Sequence, residues 1–275
     1  MSAHAGTAGR TGGVSIGTRL KATARSEWIK FRSVRSGPAV LLATAVILLA
    51  GAWLVCHGYR DGWATMSPGD KASFDPVYNS LIGVILAQLF IGALGVMTVT
   101  GEYASGLIRG TFLATPQRAQ VIAMKAAIFA VVIWIWSTLL SFAAFFIGQS
   151  LLSSPATHVA IGDPGVLTAV FGAGLYLTFV GLLGLFIGVL VRRTPAALAA
   201  LFGLVLVLPV VCGMISGNLG AQLAEFLPGS AGGEIWKLVH GGAYTLGPWQ
   251  GFAVLAAYVV AAGVAAFVLV RRRDA

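Results

Sequence analysis

The residues that could carry chemistry are few and widely spaced. No Gly-Lys dipeptide occurs, so the chain lacks the nucleotide-binding P-loop, and no His-Glu-x-x-His zinc motif is present. Gly172-Ala173-Gly174 lies inside an apolar run and not between a strand and a helix, so it does not indicate a dinucleotide site. The histidines are scattered, at His4, His57, His158 and His240. The sequence therefore predicts no catalytic residue, no metal ligand and no bound cofactor.

The two cysteines, Cys56 and Cys212, are too few for a disulfide framework and lack the spacing of metal ligands. Free cysteine behaves in proteins as a small, usually buried apolar residue. We therefore expect both side chains to serve as packing residues.

Composition decides the class of protein. Of the 275 residues, 57% are apolar and only 10% are charged, whereas a soluble domain has about 45–50% apolar and about 25% charged residues. This excludes a soluble enzyme and a disordered tail. The net charge of +9 does not indicate a nucleic-acid partner, because the basic residues lie at the ends of apolar runs. The composition is that of a polytopic membrane protein.

Six apolar runs are long enough to cross a hydrocarbon core of ~30 Å, which requires about 20 residues per helix. They predict an all-α fold with a six-helix transmembrane domain over residues 37–275. The first run is too long for a cleavable signal and should remain as an anchor. The predicted spans are 38–56, 77–100, 121–148, 166–191, 196–216 and 251–270.

The basic residues also predict the orientation of the spans. All Lys and Arg except Arg60, Lys71 and Lys237 fall on one side of the membrane if the six spans alternate in direction. Cytoplasmic segments carry the excess of Lys and Arg. Both termini of this multi-pass protein are therefore expected in the cytoplasm, and Lys125 should extend toward the cytoplasmic interface.

The N-terminal segment divides into two parts. Residues 1–17 are rich in small residues and are predicted to be disordered. Within 18–36, apolar residues recur at helical spacing opposite basic ones, which favours an amphipathic elbow helix lying on membrane lipid over a mere topology signal. The expected membrane-interface residues are Lys21, Arg25, Trp28, Lys30 and Arg32.

Two connections are longer than a minimal link requires. Residues 101–120 carry both charged and apolar side chains, so they could form a short helix ended by Pro116 or a solvated loop. Residues 217–250 are rich in Gly and apolar residues, and we expect short helices that dip into the outer leaflet and break at Leu227-Pro228. Gly181, Gly184 and Gly188 form a stripe of small residues that predicts close helix packing.

The chain resembles the membrane subunits of type-2 ATP-binding-cassette (ABC) exporters. The resemblance covers residues 18–275, and Leu107 and Gly110 depart from the family pattern. It rests on Ser26-Glu27-Trp28-Ile29-Lys30 with Arg32-Ser33-Val34-Arg35, Gly101-Glu102-Tyr103 through Gly106, Ile108-Arg109, Pro116, Arg118, Lys125, Leu227-Pro228 and Ala231-Gly232.

The resemblance implies a permease subunit of a bacterial exporter in the cell membrane. Such a subunit pairs with a second permease subunit, identical or different, and with cytosolic ATPase subunits that hold ATP and Mg. The connection after the second span would be the coupling helix, with Glu102, Tyr103, Arg109 and Arg118 as ATPase-coupling residues. Its substrate would be an amphiphilic drug, a peptide or a lipid-like molecule, whose binding residues the sequence does not identify.

Two other functions fit the same spans. A scaffold or sensor subunit that transports nothing is the main alternative. A self-powered transporter is the third, although no Asp, Glu or Arg lies inside the predicted spans, which argues against proton coupling.

Overall fold

The computed structural model describes residues 36–106, 118–153, 156–215, 218–239 and 246–273. In these ranges all regular structure is helical, with short 3₁₀ turns at Trp63–Thr65 and Glu234–Trp236 and a π-helical segment at Gly203–Val207. Residues 1–35 and 107–117, which include most of the predicted elbow and coupling helices, lie outside this part. The α-helices are α1 (Ser36–Gly62), α2 (Pro68–Ala72), α3 (Pro76–Ser80), α4 (Val84–Ala104), α5 (Arg118–Leu152), α6 (Val166–Val191), α7 (Thr194–Phe202), α8 (Leu208–Gly213), α9 (Asn218–Glu225), α10 (Pro228–Gly233) and α11 (Pro248–Arg273).

The prediction of six spans is confirmed. Six helices in the described part are long and apolar enough to cross a membrane, so the chain is a multi-pass membrane protein. They are Gly37–Thr65, Val84–Ala104, Ala119–Leu152, Val166–Val191, Thr194–Gly213 and Pro248–Arg272.

The second span is shorter than predicted. The expected span 77–100 is divided into α3 and α4 by a turn at residues 81–83. At this turn the backbone of Gly83 lies against α1. A Cβ atom on Gly83 would lie 2.7 Å from the carbonyl oxygen of Ile47. Hydropathy alone does not register such a contact, because the residues on both sides of the turn are apolar.

The first and fifth spans also differ from prediction. Helix α1 continues six residues past the expected end at Cys56, where Tyr59 and the following Trp63 pack edge-on against Phe74. The fifth span begins at Thr194 and ends at Gly213, not at 196 and 216, and it contains the π-helical segment. Pro209 follows that segment and has no N–H to donate, which is a common cause of a local departure from α-helical geometry.

Helix α6 is the centre of the bundle. In its most apolar stretch 67% of the residues are buried, compared with 22% in the corresponding stretches of the first and fifth spans. It packs against α4, α5 and α11. The core therefore forms around α6, and the other spans present one face to their surroundings.

Glycines bring α4 and α6 into backbone contact. A Cβ atom at Gly95 of α4 would overlap the carbonyl oxygen of Gly181, and one at Gly184 would overlap that of Gly92. A Cβ at Gly188 would lie 3.0 Å from the carbonyl oxygen of Val96. In lipid, such close van der Waals packing replaces the hydrophobic effect as the force between helices.

Both cysteines are free and buried. The Cys56 sulfur lies 3.7 Å from the Ser80 hydroxyl. Replacing both with Ala should cost about 1 kcal/mol per site, since one buried heavy atom is lost at each. We expect nearly wild-type expression and activity of the purified double variant, with a melting temperature only a few degrees lower. A large loss in the double variant, matched by a similar loss when the wild-type chain is treated with reductant, would instead reveal a structural disulfide.

Candidate functional site

The charged and polar residues at the C-terminal end of α4 form a cluster that we call the Glu102 junction. It joins the end of α4 to the beginnings of α5 and α7 and to the end of α6. Its members are Thr100, Glu102, Tyr103, Lys125, Arg192 and Thr194.

An ion pair connects α4 to α5. The Lys125 ammonium lies 2.6 Å from the Glu102 carboxylate, and the two side chains are only 7% and 13% exposed. A carboxylate in the last turn of a helix is disfavoured by the helix dipole, so Lys125 compensates both that interaction and the loss of hydration. The pair fixes the two helices that flank the connection 107–117.

Two further contacts extend the junction to α6 and α7. The Arg192 guanidinium lies 5.0 Å from the centre of the Tyr103 ring, within the range of a cation–π interaction. The Thr194 hydroxyl donates a 2.8 Å hydrogen bond to the Thr100 hydroxyl, which donates to the Val96 carbonyl. The end of α4 is therefore joined to three other spans.

Two residues in left-handed conformation shape the chain here. Gly106 has a φ of +71° just after α4, where it turns the backbone away from the helix axis. Arg192 caps α6 with a φ of +61° and is the only non-glycine in the described ranges with a positive φ. Such a conformation costs of order 1–3 kcal/mol in a non-glycine residue, so the surroundings of Arg192 hold it in place.

The predicted coupling residues divide into two groups. Glu102 and Tyr103 lie in the junction, and Glu102 points to Lys125 rather than outward to a partner. Arg118 is the first residue of α5, and its side chain lies outside the described part, as do Arg109 and the elbow residues.

Sequence reasoning missed four members of the junction, which are Thr100, Lys125, Arg192 and Thr194. Lys125, expected at the interface, is buried against Glu102. In the sequence, Arg192 serves only as one of the basic residues that predict the orientation of the spans. The signal available for the ion pair was the presence of opposite charges near the two ends of the connection, at Glu102 and Lys125.

A second polar cluster lies at the other end of the bundle. Gln149 of α5 donates to the Pro76 carbonyl at 3.0 Å and the Ser80 hydroxyl at 2.9 Å, and its carbonyl accepts from Val159 N–H. These bonds attach the short helix α3 to α5. They leave the amide fully used within the chain.

A third polar contact lies inside the bundle. The buried Tyr176 hydroxyl of α6 donates to the Gln88 side-chain carbonyl of α4, while Gln88 donates to the Ile85 carbonyl. The Gly229 carbonyl of α10 lies 3.4 Å from the same hydroxyl. The contact thus links α4, α6 and α10 within the core.

Among the described residues, no three His, Cys, Asp or Glu side chains lie close enough together to hold a metal ion. In the described part of the junction, the Glu102 carboxylate and the Lys125 ammonium are paired with each other. The Glu102 junction therefore joins the ends of four spans through side-chain contacts.

Comparison with known families finds no family model that matches this chain, and no curated protein matches it significantly.

Proposed function

We propose that this chain is the permease subunit of an ABC exporter in the bacterial cell membrane. It moves an amphiphilic drug, peptide or lipid-like substrate, driven by ATP hydrolysis in a separate cytosolic ATPase subunit that holds ATP and Mg. The observation that carries the proposal is the buried ion pair between Glu102 and Lys125. These two residues lie on either side of the connection whose sequence resembles the coupling helix of ABC exporters. A free, solvated loop needs no such buried charge pair at its ends.

The proposed mechanism starts at the connection 107–117, which contacts the ATPase. Movement of this segment displaces its two ends, where the Glu102–Lys125 pair joins α4 to α5. The Tyr103–Arg192 contact passes the displacement to α6. ATP changes the conformation because it binds the closed ATPase dimer more tightly than the open one, and substrate must likewise prefer the inward-facing state.

The second permease subunit is proposed to pack against the face that contains α4. This helix contacts α1 and α7 as well as α6, and its side chains Leu86 and Phe90 are exposed. Two such faces would enclose an apolar path between subunits. An apolar lining fits amphiphilic substrates, because the transfer of their apolar portions from water into an apolar environment is favourable.

The proposal fixes an orientation, with the Glu102 junction in the cytoplasm. Cysteine introduced at Ser73, which is exposed between α2 and α3, should react with an impermeant reagent added to intact cells. Cysteine at Ser105, exposed just after α4, should react only after the membrane is opened. The reverse pattern would invert the topology and move the junction away from any cytosolic ATPase.

Reconstitution tests the function itself. The chain is co-expressed with a cytosolic ABC ATPase, whose reading frame we expect next to that of the chain. The complex is purified and placed in vesicles with a fluorescent amphiphile. We expect the ATPase to copurify and the amphiphile to move only with hydrolysable ATP. Copurification without movement would favour the scaffold or sensor function. Movement without any ATPase, driven by an ion gradient, would favour a self-powered transporter.

A further inference from the structure

Residues 228–239 form a compact segment that we call the lid. It consists of α10, the 3₁₀ turn Glu234–Trp236 and the following three residues. Glycines on both sides allow it to sit deep among the spans: a Cβ atom at Gly229 would overlap the Val205 carbonyl, and one at Gly251 would overlap the Ala231 carbonyl. The lid therefore fills the space between the fifth and sixth spans.

Two large side chains anchor the lid in the core. Ile235 is 1% exposed, and a Cβ atom at Gly172 of α6 would lie 2.8 Å from its carbonyl oxygen. Trp236 is 4% exposed and stacks on Tyr78 of α3, with ring centres 5.1 Å apart and planes within 4°. Removing the lid would expose this interior.

One carboxylate fastens the end of the lid to α3. Asp75 is buried, and its Oδ1 atom accepts hydrogen bonds of 2.9 Å from Val77 N–H and Tyr78 N–H, capping α3. Its Oδ2 atom accepts bonds of 2.7 and 2.9 Å from Leu238 N–H and Val239 N–H of the lid. A carboxylate is required here, because only two acceptor oxygens can serve both pairs of donors.

The two oxygens have separable roles. Asn and Ser are good helix N-caps and can keep the bonds to α3. Neither can serve the lid: Ser has no second oxygen, and Asn would direct its NH₂ group at two N–H donors. Substitution by Asn or Ser therefore removes the fastening of the lid and leaves the cap of α3.

We infer that residues 228–239 are an external lid latched by Asp75, and that release of this latch lets the lid lift away from α3. The latch is a property of the chain alone. Its placement on the external side and in the transport cycle rests on the proposed function, in which the outer end of the bundle must open to release substrate.

The test uses a reporter cysteine at the buried position Ile235, in a chain with Cys56→Ala and Cys212→Ala. An impermeant thiol reagent is added, and the labelling rate is compared between wild-type Asp75, Asp75→Asn and Asp75→Ser. Both variants should label about tenfold faster or more, as expected for the loss of hydrogen bonds to a charged acceptor. Unchanged rates in both would overturn the latch.

Two controls separate the latch from general loosening. Glu234→Gln removes an ion pair inside the lid, where Lys237 lies 2.5 Å away, and should leave the labelling rate unchanged. A reporter at the exposed Ser73 should react equally fast in every background. Equal acceleration by Glu234→Gln would show that any charge change loosens the lid, which contradicts a specific role for Asp75.

Hydrogen exchange on the wild-type chain decides the question if the Asp75 variants do not fold. The amides of Leu238 and Val239 should exchange at least about tenfold faster than those of Val77 and Tyr78, because a latch opens locally while the helix cap persists. Equal rates for the four amides on this one carboxylate would overturn the inference.

The complete complex tests the lid's part in transport. Trapping the ATPase with ATP and vanadate should accelerate labelling of the Ile235 reporter. If substrate moves but trapped and free complexes label equally, the lid has no part in the cycle. If the Asp75 variants label faster but no substrate moves, the latch stands and the proposed function fails.

Discussion

Glu102→Gln and Lys125→Met should each reduce substrate-stimulated ATP hydrolysis of the reconstituted complex at least about tenfold, with a marked loss of thermal stability. Each change removes the 2.6 Å ion pair from the other, buried charged group. Breaking a buried ion pair in this way costs about 3–5 kcal/mol. ATPase activity with and without substrate, together with the melting temperature, provides the measurement.

Reversing the pair, with Glu102→Lys and Lys125→Glu together, should recover most of the stability and part of the coupling. The exchange restores opposite charges and places the cation at the C-terminal end of α4, where the helix dipole favours it. A double variant no more stable than either single variant would show that the ion pair does not hold the junction. A stable double variant with no coupling would show that the geometry of the original side chains matters beyond their charges.

Arg109→Ala separates contact with the ATPase from the stability of the bundle. Arg109 lies in the connection 107–117, outside the described residues, and carries a charge that the proposed ATPase contact would use. Its loss should reduce export and substrate-stimulated hydrolysis while the melting temperature stays near that of the wild type, since surface changes usually cost under ~0.5 kcal/mol. Wild-type coupling in both Arg109→Ala and Glu102→Ala would remove this segment as the transmission element. A pull-down of the ATPase accompanies both assays.

The number of spans could be predicted because membrane thickness imposes a minimum length on every apolar run. The fourth span, Val166–Val191, has the predicted bounds, since Gly165 precedes it with a positive φ and Arg192 ends it. The turn at 81–83 could not be predicted, because its cause is the approach of Gly83 to α1. Local hydropathy contains no information about that neighbour.

In the candidate sites, too, some features could be predicted from the sequence and others depend on contacts between distant residues. The connection 101–120 was identifiable because its charges and length are unusual between two spans. The pairing of Glu102 with Lys125 depends on how two helices are rotated about their axes. Counting the Lys and Arg residues on each side of the membrane does not determine this rotation. The Asp75 latch joins residues 163 and 164 positions apart in the chain, so only the folded structure reveals it.

The largest loss of folding should come from Gly95→Ala in α4. A methyl group at this position would overlap the Gly181 carbonyl, which belongs to the backbone of the central helix and cannot rotate away. Gly184→Ala would meet the Gly92 carbonyl in the same way. Overpacking of a tight core costs typically about 1–3 kcal/mol and can cost more. Both variants should therefore lose most of the folded, monodisperse protein, measured by size exclusion after extraction.

Gly101→Ala is the matched control, because it makes the same chemical change in the same helix. Among the described residues, a Cβ atom at Gly101 meets nothing within 4 Å outside its own helix. Ala favours a helix over Gly by about 1 kcal/mol, so this variant should be as stable as the wild type or more so. Equal losses in Gly95→Ala and Gly101→Ala would mean that α4 tolerates no change of any kind. Wild-type stability of Gly95→Ala and Gly184→Ala would mean that α4 and α6 do not meet through these glycines. In that case the Glu102 junction, which relies on α4 being held against α6, would lose its physical basis as a transmission element.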